Sequence, residues 1–156
     1  MEIPELNAMF LFRRRPVALP ADLRPSWRIG LILLLLKVCC RRGRSTLTRL
    51  HALSWGIRAE QTRSALLAVV TGSLAHNGDV IVRFDPALNR AVDFALGEQL
   101  IRRCGGSRIE LAPKGDALAT ALEAAEEAYQ TEKIFMREIK QKFTEGLVDQ
   151  LFSRSN

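Results

Sequence analysis

Leu100-Ile101-Arg102-Arg103-Cys104-Gly105-Gly106-Ser107-Arg108-Ile109-Glu110-Leu111 carries the strongest local signal in the chain. Two β-compatible runs flank a Gly-Gly pair, the pattern of a hairpin closed by a two-residue turn. Centring the turn on Gly105-Gly106 pairs Leu100 with Leu111 and Arg102 with Ile109 on a face expected to pack inward. It places Ile101 opposite Glu110 and Arg103 opposite Arg108 on the outer face. Arg103 and Arg108 then repel, which is tolerable at a solvated tip and is relieved by a bound anion. Upstream, Asp85-Pro86 predicts a helix to about Gly97, with Asp85 as N-cap and Pro86 in the first helical position. Downstream, Pro113-Lys114 opens another helix. Helix, hairpin, helix is the order of a winged-helix domain.

Further upstream, Val80-Ile81-Val82-Arg83-Phe84 is β-branched and follows the turn signal Asn77-Gly78-Asp79, so it reads as a strand. Three helices precede it. Ser26 is the expected N-cap of one running to about Cys40, apolar nearly all round through Ile29 and Leu31 to Leu36 and ended by Gly43. Ser45 is expected to cap a short second helix with Leu47, Leu50, His51 and Leu53. Trp55-Gly56-Ile57 then reads as a turn into a third, from about Arg58 to Val70. Residues 1–25 hold Pro4, Pro16, Pro20 and Pro25, too closely spaced for a helix, and read as an extended arm carrying Arg13, Arg14 and Arg15. Its apolar residues favour packing across the domain or onto another chain.

After Lys114 the chain is rich in Ala, Glu and Lys, and one or two helices are expected, with Thr131 a possible break. Phe135, Ile139, Phe143, Leu147 and Leu151 recur every four residues as an apolar stripe, which packs on its own domain or docks on a partner helix. The expected fold is mostly α with a small β component. It comprises an extended N-terminal arm (1–25), a winged-helix core (26–115) and a C-terminal extension of amphipathic helices (116–156).

The 156 residues have the balance of a globular chain, 47% hydrophobic and 26% charged, which excludes wholesale disorder and a large multidomain enzyme. The net charge of +6 favours an acidic partner. That charge is concentrated early: residues 1–64 hold 12 Lys/Arg against 4 Asp/Glu. Of the 23 cations 18 are Arg, whose planar fork suits carboxylates and phosphates. Three cysteines, Cys39, Cys40 and Cys104, without CxxC spacing argue against a disulfide framework and for the cytoplasm. The eight-residue apolar run Ile29 to Leu36 is too short to span a bilayer, and no signal-peptide cleavage pattern follows it.

No catalytic set is found. The Gly-rich segments Arg42-Gly43-Arg44-Ser45 and Gly105-Gly106-Ser107-Arg108 lack the loop length and lysine of a phosphate cradle. There is no GxSxG, and His51 and His76 have no nucleophile at motif spacing. A metal site would have to gather Cys39, Cys40, Cys104 and a histidine from distant segments. No cofactor is implied, and a noncatalytic binding module is expected.

In a winged helix the element before the wing is the natural groove reader, yet residues 85–98 carry Asp85, Asp93 and Glu98 against Arg90 alone. Such a helix meets phosphate unfavourably. The expected contacts to a partner or to a DNA backbone are therefore Arg13, Arg14, Arg15, Arg41, Arg42, Arg44, Arg103 and Arg108, with Phe135, Ile139, Phe143, Leu147 and Leu151 as a docking stripe.

Several blocks carry a family resemblance: Phe12-Arg13-Arg14-Arg15-Pro16 with Leu19-Pro20-Ala21-Asp22-Leu23; Ser26-Trp27-Arg28; Leu50-His51-Ala52-Leu53-Ser54-Trp55; Val82-Arg83-Phe84-Asp85-Pro86-Ala87-Leu88-Asn89-Arg90-Ala91; and Ile109-Glu110-Leu111-Ala112-Pro113-Lys114-Gly115. Over about residues 10–150 the chain resembles the middle component of bacterial three-component ABC ATPase systems, the small subunit of Lamassu-type defence. The resemblance implies a noncatalytic winged-helix subunit that joins a coiled-coil ATPase, similar to structural-maintenance-of-chromosomes (SMC) proteins, to a nuclease-type effector in anti-phage or anti-plasmid immunity. From the short apolar run no membrane association is expected, and from the arginines a non-specific DNA-backbone contact within the complex is one expected contact. The resemblance supplies no catalytic residue. The alternative expectation is a winged-helix DNA-binding transcriptional regulator.

Overall fold

The structure, a computed structural model, describes residues 24–72 and 82–153. The arm, with Arg13, Arg14 and Arg15, and the loop carrying His76 lie outside the described residues. Within them the element order is α1 (Pro25–Cys39), a 3-10 turn (Arg41–Gly43), β1 (Arg44–Thr46), α2 (Leu47–Ile57), α3 (Glu60–Thr71), α4 (Pro86–Gly97), β2 (Ile101–Cys104), β3 (Arg108–Leu111), α5 (Pro113–Ala124), α6 (Gln130–Ile139) and α7 (Glu145–Ser153). The fold is mostly helical with a small antiparallel sheet of order β1-β3-β2, consistent with a winged-helix arrangement.

Helix α1 is the axis of the core. Leu31 to Leu36 are all at most 1% exposed, so neither side of the helix meets water. Each such leucine contributes about 2 kcal/mol relative to exposure. Helices α2, α4, α5 and α6 pack around it. Ser26 is not its N-cap: Pro25 takes the first helical position, where its fixed φ and missing N–H cost nothing, and Arg24 is the cap residue. The helix ends at Cys39, because Cys40 is extended and Arg42 and Gly43 take positive φ.

Further boundaries differ from expectation. Thr46 rather than Ser45 caps α2, its hydroxyl accepting from the Arg49 amide. Trp55-Gly56-Ile57 is the last part of α2 and not a turn. Gly56 is needed there for close approach, since a Cβ would stand 2.5 Å from the Leu66 side chain of α3. Val82, Arg83 and Phe84 form no strand; Val80 and Ile81 lie outside the described residues. Among the described residues no strand pairs with Val82, Arg83 or Phe84, and the Phe84 ring instead meets His51 edge-on at 4.8 Å and stacks on Phe152 at 5.8 Å. Asp85 and Pro86 open α4 as expected.

The hairpin forms, but its register is one residue away from the expected one. Ile101 pairs with Leu111, Arg102 with Glu110, Arg103 with Ile109 and Cys104 with Arg108. The turn has three residues, Gly105-Gly106-Ser107, with both glycines at positive φ. Core burial explains the choice. The two-residue turn would put Ile101 and Ile109 on opposite faces, whereas the observed register turns both inward, at 1% and 0% exposure. Strand β1, too short to leave a sequence signal, adds to β3 with Arg44 opposite Glu110 and Thr46 opposite Arg108.

The C-terminal helices are part of this core, not an extension from it. Phe135, Ile139, Phe143 and Leu151 are buried in the same cluster as α1, and Leu147 packs against it. The stripe is not one helix, because Lys140 takes φ 45° and the chain breaks between α6 and α7. Tyr129 joins the segment before α6 to α1: its Oη donates to the Trp27 carbonyl at 2.7 Å and its ring stacks on Trp27.

Candidate anion-binding face

Two carboxylates organise most of the paired arginines, each in a different way. Asp85, at the start of α4, accepts from Arg28 Nη1 and from Arg58 Nη2 at 2.6 Å through the same oxygen, Oδ2. Its other oxygen accepts the Ala87 amide at 2.9 Å and caps the helix. Arg28 is buried beneath this contact. Burial acts to raise the Asp85 pKa, but the Ala87 amide, Arg28 and Arg58 outweigh it and hold the carboxyl below its ordinary range. His51 completes the junction: the Asp85 amide donates to Nδ1, so Nε2 carries the proton and donates to Asn89 Oδ1 at 2.8 Å. His51 is thereby a structural residue.

Glu110, in the middle of β3, receives one arginine on each oxygen: Arg102 Nε on Oε1 at 2.7 Å and Arg44 Nε on Oε2 at 2.5 Å. These hydrogen bonds, led by that from Arg102, hold the Glu110 carboxyl below its ordinary value against the desolvation that opposes them. Glu110 itself is covered, while the Arg44 and Arg102 side chains remain 53% and 61% exposed. Both are bound through Nε, and their terminal amino groups take no part in these hydrogen bonds.

The register places Arg44, Glu110 and Arg102 in one row of the outer sheet face and Thr46, Arg108 and Cys104 in the next. Beside it the 3-10 turn carries Arg41 and Arg42. A concavity of about 360 Å³ is lined by Arg41, Arg42, Arg44 and Arg108, with Ser45, Arg49 and Glu145 at its floor and rim. A second, of about 600 Å³, shares Arg42 and includes Lys37 and Arg102. Arg41, Arg42 and Arg108 form no ion pair with any described residue.

Of the arginines expected as contacts, Arg41, Arg42, Arg44 and Arg108 thus come together. Arg103 does not join them: opposite Ile109, it belongs to the other sheet face, and the expected repulsion between Arg103 and Arg108 is absent because Arg108 faces Cys104. The stripe Phe135, Ile139, Phe143, Leu147 and Leu151 is occupied by this chain's own core and offers no docking surface. Arg102 and Glu110 were not singled out from the sequence, since only the correct register makes them neighbours. Arg49 is internal: its guanidinium donates to the Phe143 and Cys39 carbonyls at 2.7 and 2.8 Å. Glu145 clamps α7 to the start of α2 by accepting from the Thr46 amide and hydroxyl.

Burial, reinforced by Cys40, pushes the Cys39 thiol up to about 12, and burial also raises Cys40, so neither is a poised nucleophile. Among the described residues no three metal-ligating side chains cluster, and no helix is long and apolar enough to cross a membrane. No protein-family model, curated protein or solved structure matches the chain.

Proposed function

We propose that this protein is a noncatalytic cytoplasmic accessory subunit of an SMC-like ATPase defence complex, joining the coiled-coil ATPase to a nuclease-type effector in anti-phage or anti-plasmid immunity. The role follows from the sequence resemblance, and one observation supports docking over base reading. Helix α4, in the reader position, exposes Phe94 at 57% beside exposed Asp93, where a groove reader needs donors and cations. Phe94 borders a concavity of about 300 Å³ lined by Pro25, Ile29, Ala87 and Ala91 together with Arg28 and exposed Arg90. An apolar anchor with a polar rim is the composition of a protein contact. The occupant assigned to it is the coiled-coil ATPase, through an apolar side chain on one of its helices.

Tagged purification from the native operon tests this directly. The wild type should bring down a coiled-coil ATPase and an effector, and Phe94→Asp should lose the ATPase while melting at the wild-type temperature. Recovery of the wild type alone would remove the proposal. The alternative, a DNA-binding regulator, draws on the arginines of the sheet face; salt-sensitive selective binding to its own promoter would favour it.

A further inference from the structure

We infer that the outer face of the sheet, with the adjoining 3-10 turn, is a binding site for the phosphodiester backbone of a nucleic-acid duplex. Its contacts are Arg41, Arg42, Arg44, Arg102 and Arg108, and Glu110 is a positioning residue. Around Arg41, Arg42, Arg44 and Arg108 the composition differs from that of a protein interface, whereas the adjoining concavity at Arg102 also includes Leu111, Ala112 and Pro113. The concavity between the wing and the turn is lined only by arginine, serine and glutamate side chains, with no apolar residue to act as an anchor. A phosphate backbone needs no such anchor; it is bound by neutralised charge and N–H donors, which this surface supplies in quantity.

Geometry carries the second part of the argument. A flexible arginine loses side-chain entropy when it binds, and a carboxylate that holds it beforehand removes part of that loss. Glu110 takes Arg44 and Arg102 each through Nε, on separate oxygens, and both side chains stay more than half exposed. Each guanidinium is thus fixed in orientation while its terminal amino groups are available to phosphate oxygens. Arg108 lies in the next row of the same face, and Arg41 and Arg42 border the same concavity, all three without an acidic partner among the described residues. The donors therefore form a strip and not a single pocket, which fits a repeating anion. Among the described residues no base-reading element accompanies them, so binding is expected to be independent of sequence.

The inference goes beyond the proposed assembly role and is tested apart from it, on the full-length isolated chain, by fluorescence anisotropy with random-sequence DNA duplexes over a series of salt concentrations. The double variant Arg42→Glu/Arg108→Glu should lose at least roughly ten-fold in affinity and flatten the log-affinity against log-salt slope by about 2, one unit for each lost phosphate contact. Arg103→Glu makes the same charge change on the opposite sheet face and should cost less than Arg108→Glu alone. Arg42→Gln/Arg108→Gln, read alongside a thermal melt, gives the same comparison if charge reversal impairs folding. Three results would overturn the inference: no duplex binding, equal losses for Arg103→Glu and Arg108→Glu, or competition by polyglutamate as effective as that by duplex at equal charge. The last would make the face a dock for an acidic protein. Loss of duplex binding with co-purification intact would identify the face without bearing on assembly, and the converse would fail the assembly role alone.

Discussion

Asp85 and Glu110 each hold two arginines, yet one pair of contacts closes the fold and the other presents charge. At Asp85 both guanidinium groups meet one oxygen, the second oxygen caps α4, and Arg28 is buried. That carboxylate joins α1, α4 and the segment after α2, so Arg28 is internal structure and Arg58, 40% exposed, closes the junction from the solvent side. At Glu110 the two arginines come from neighbouring strands, meet separate oxygens and remain exposed. The stoichiometry is the same, and the difference lies in where the backbone puts the acid. A helix start over a packed core encloses one of its partners, Arg28; the central strand of an open sheet face leaves both of its partners in water.

The largest effect that separates the two belongs to Asp85→Ala. It leaves the buried Arg28 without its counter-charge and removes the α4 cap, and a loss of about 3 kcal/mol or more is expected in chemical denaturation. Second comes the neutral pair Asp85→Asn and Glu110→Gln, compared in thermal melts at neutral pH: Asp85→Asn should lower the midpoint more, although Asn can still cap, because only its arginine is buried. Both carboxyls are held below their ordinary values, so the stability they lend is present above the ordinary carboxylate range and is lost as pH falls through the depressed folded values. Each variant should accordingly converge with the wild type at strongly acidic pH, and a gap that persisted there would show that charge is not what the acid contributes. The smallest effect is expected from Arg58→Ala, since Arg58 is 40% exposed and a solvated pair is worth about 0–1 kcal/mol. A loss as large as that of Asp85→Ala would mean that Arg58, not Arg28, closes the junction.

Much of this frame was legible from residue types. Asp85-Pro86 opens α4 because an acidic cap and a proline at the first helical position are local requirements, satisfied without knowledge of the rest of the chain. The all-round apolar pattern of Ile29 to Leu36 likewise announced a buried helix, and it is the centre of the core. The register of the wing was not legible. Gly-Gly suits a two-residue turn, and the extra turn residue is selected only when Ile101 and Ile109 must both reach the core. The candidate site inherited that ambiguity, because a slip of one residue exchanges Arg102 for Arg103 on the outer face. Arg49 shows the same limit: in the sequence it is another cation of the basic half, and in the fold it binds two main-chain carbonyls.

The amino-acid sequence by itself determined the helices with their own caps or continuous apolar runs, the existence of a hairpin, and an arginine-rich first half. Those follow from interactions between residues a few positions apart. Tertiary structure alone decided which arginines are free, which are enclosed, and that the terminal stripe belongs to the core. Pairing between strands, and between helices distant in sequence, sets the environment of a charge, and long-range burial chooses among registers that local propensity leaves nearly equal.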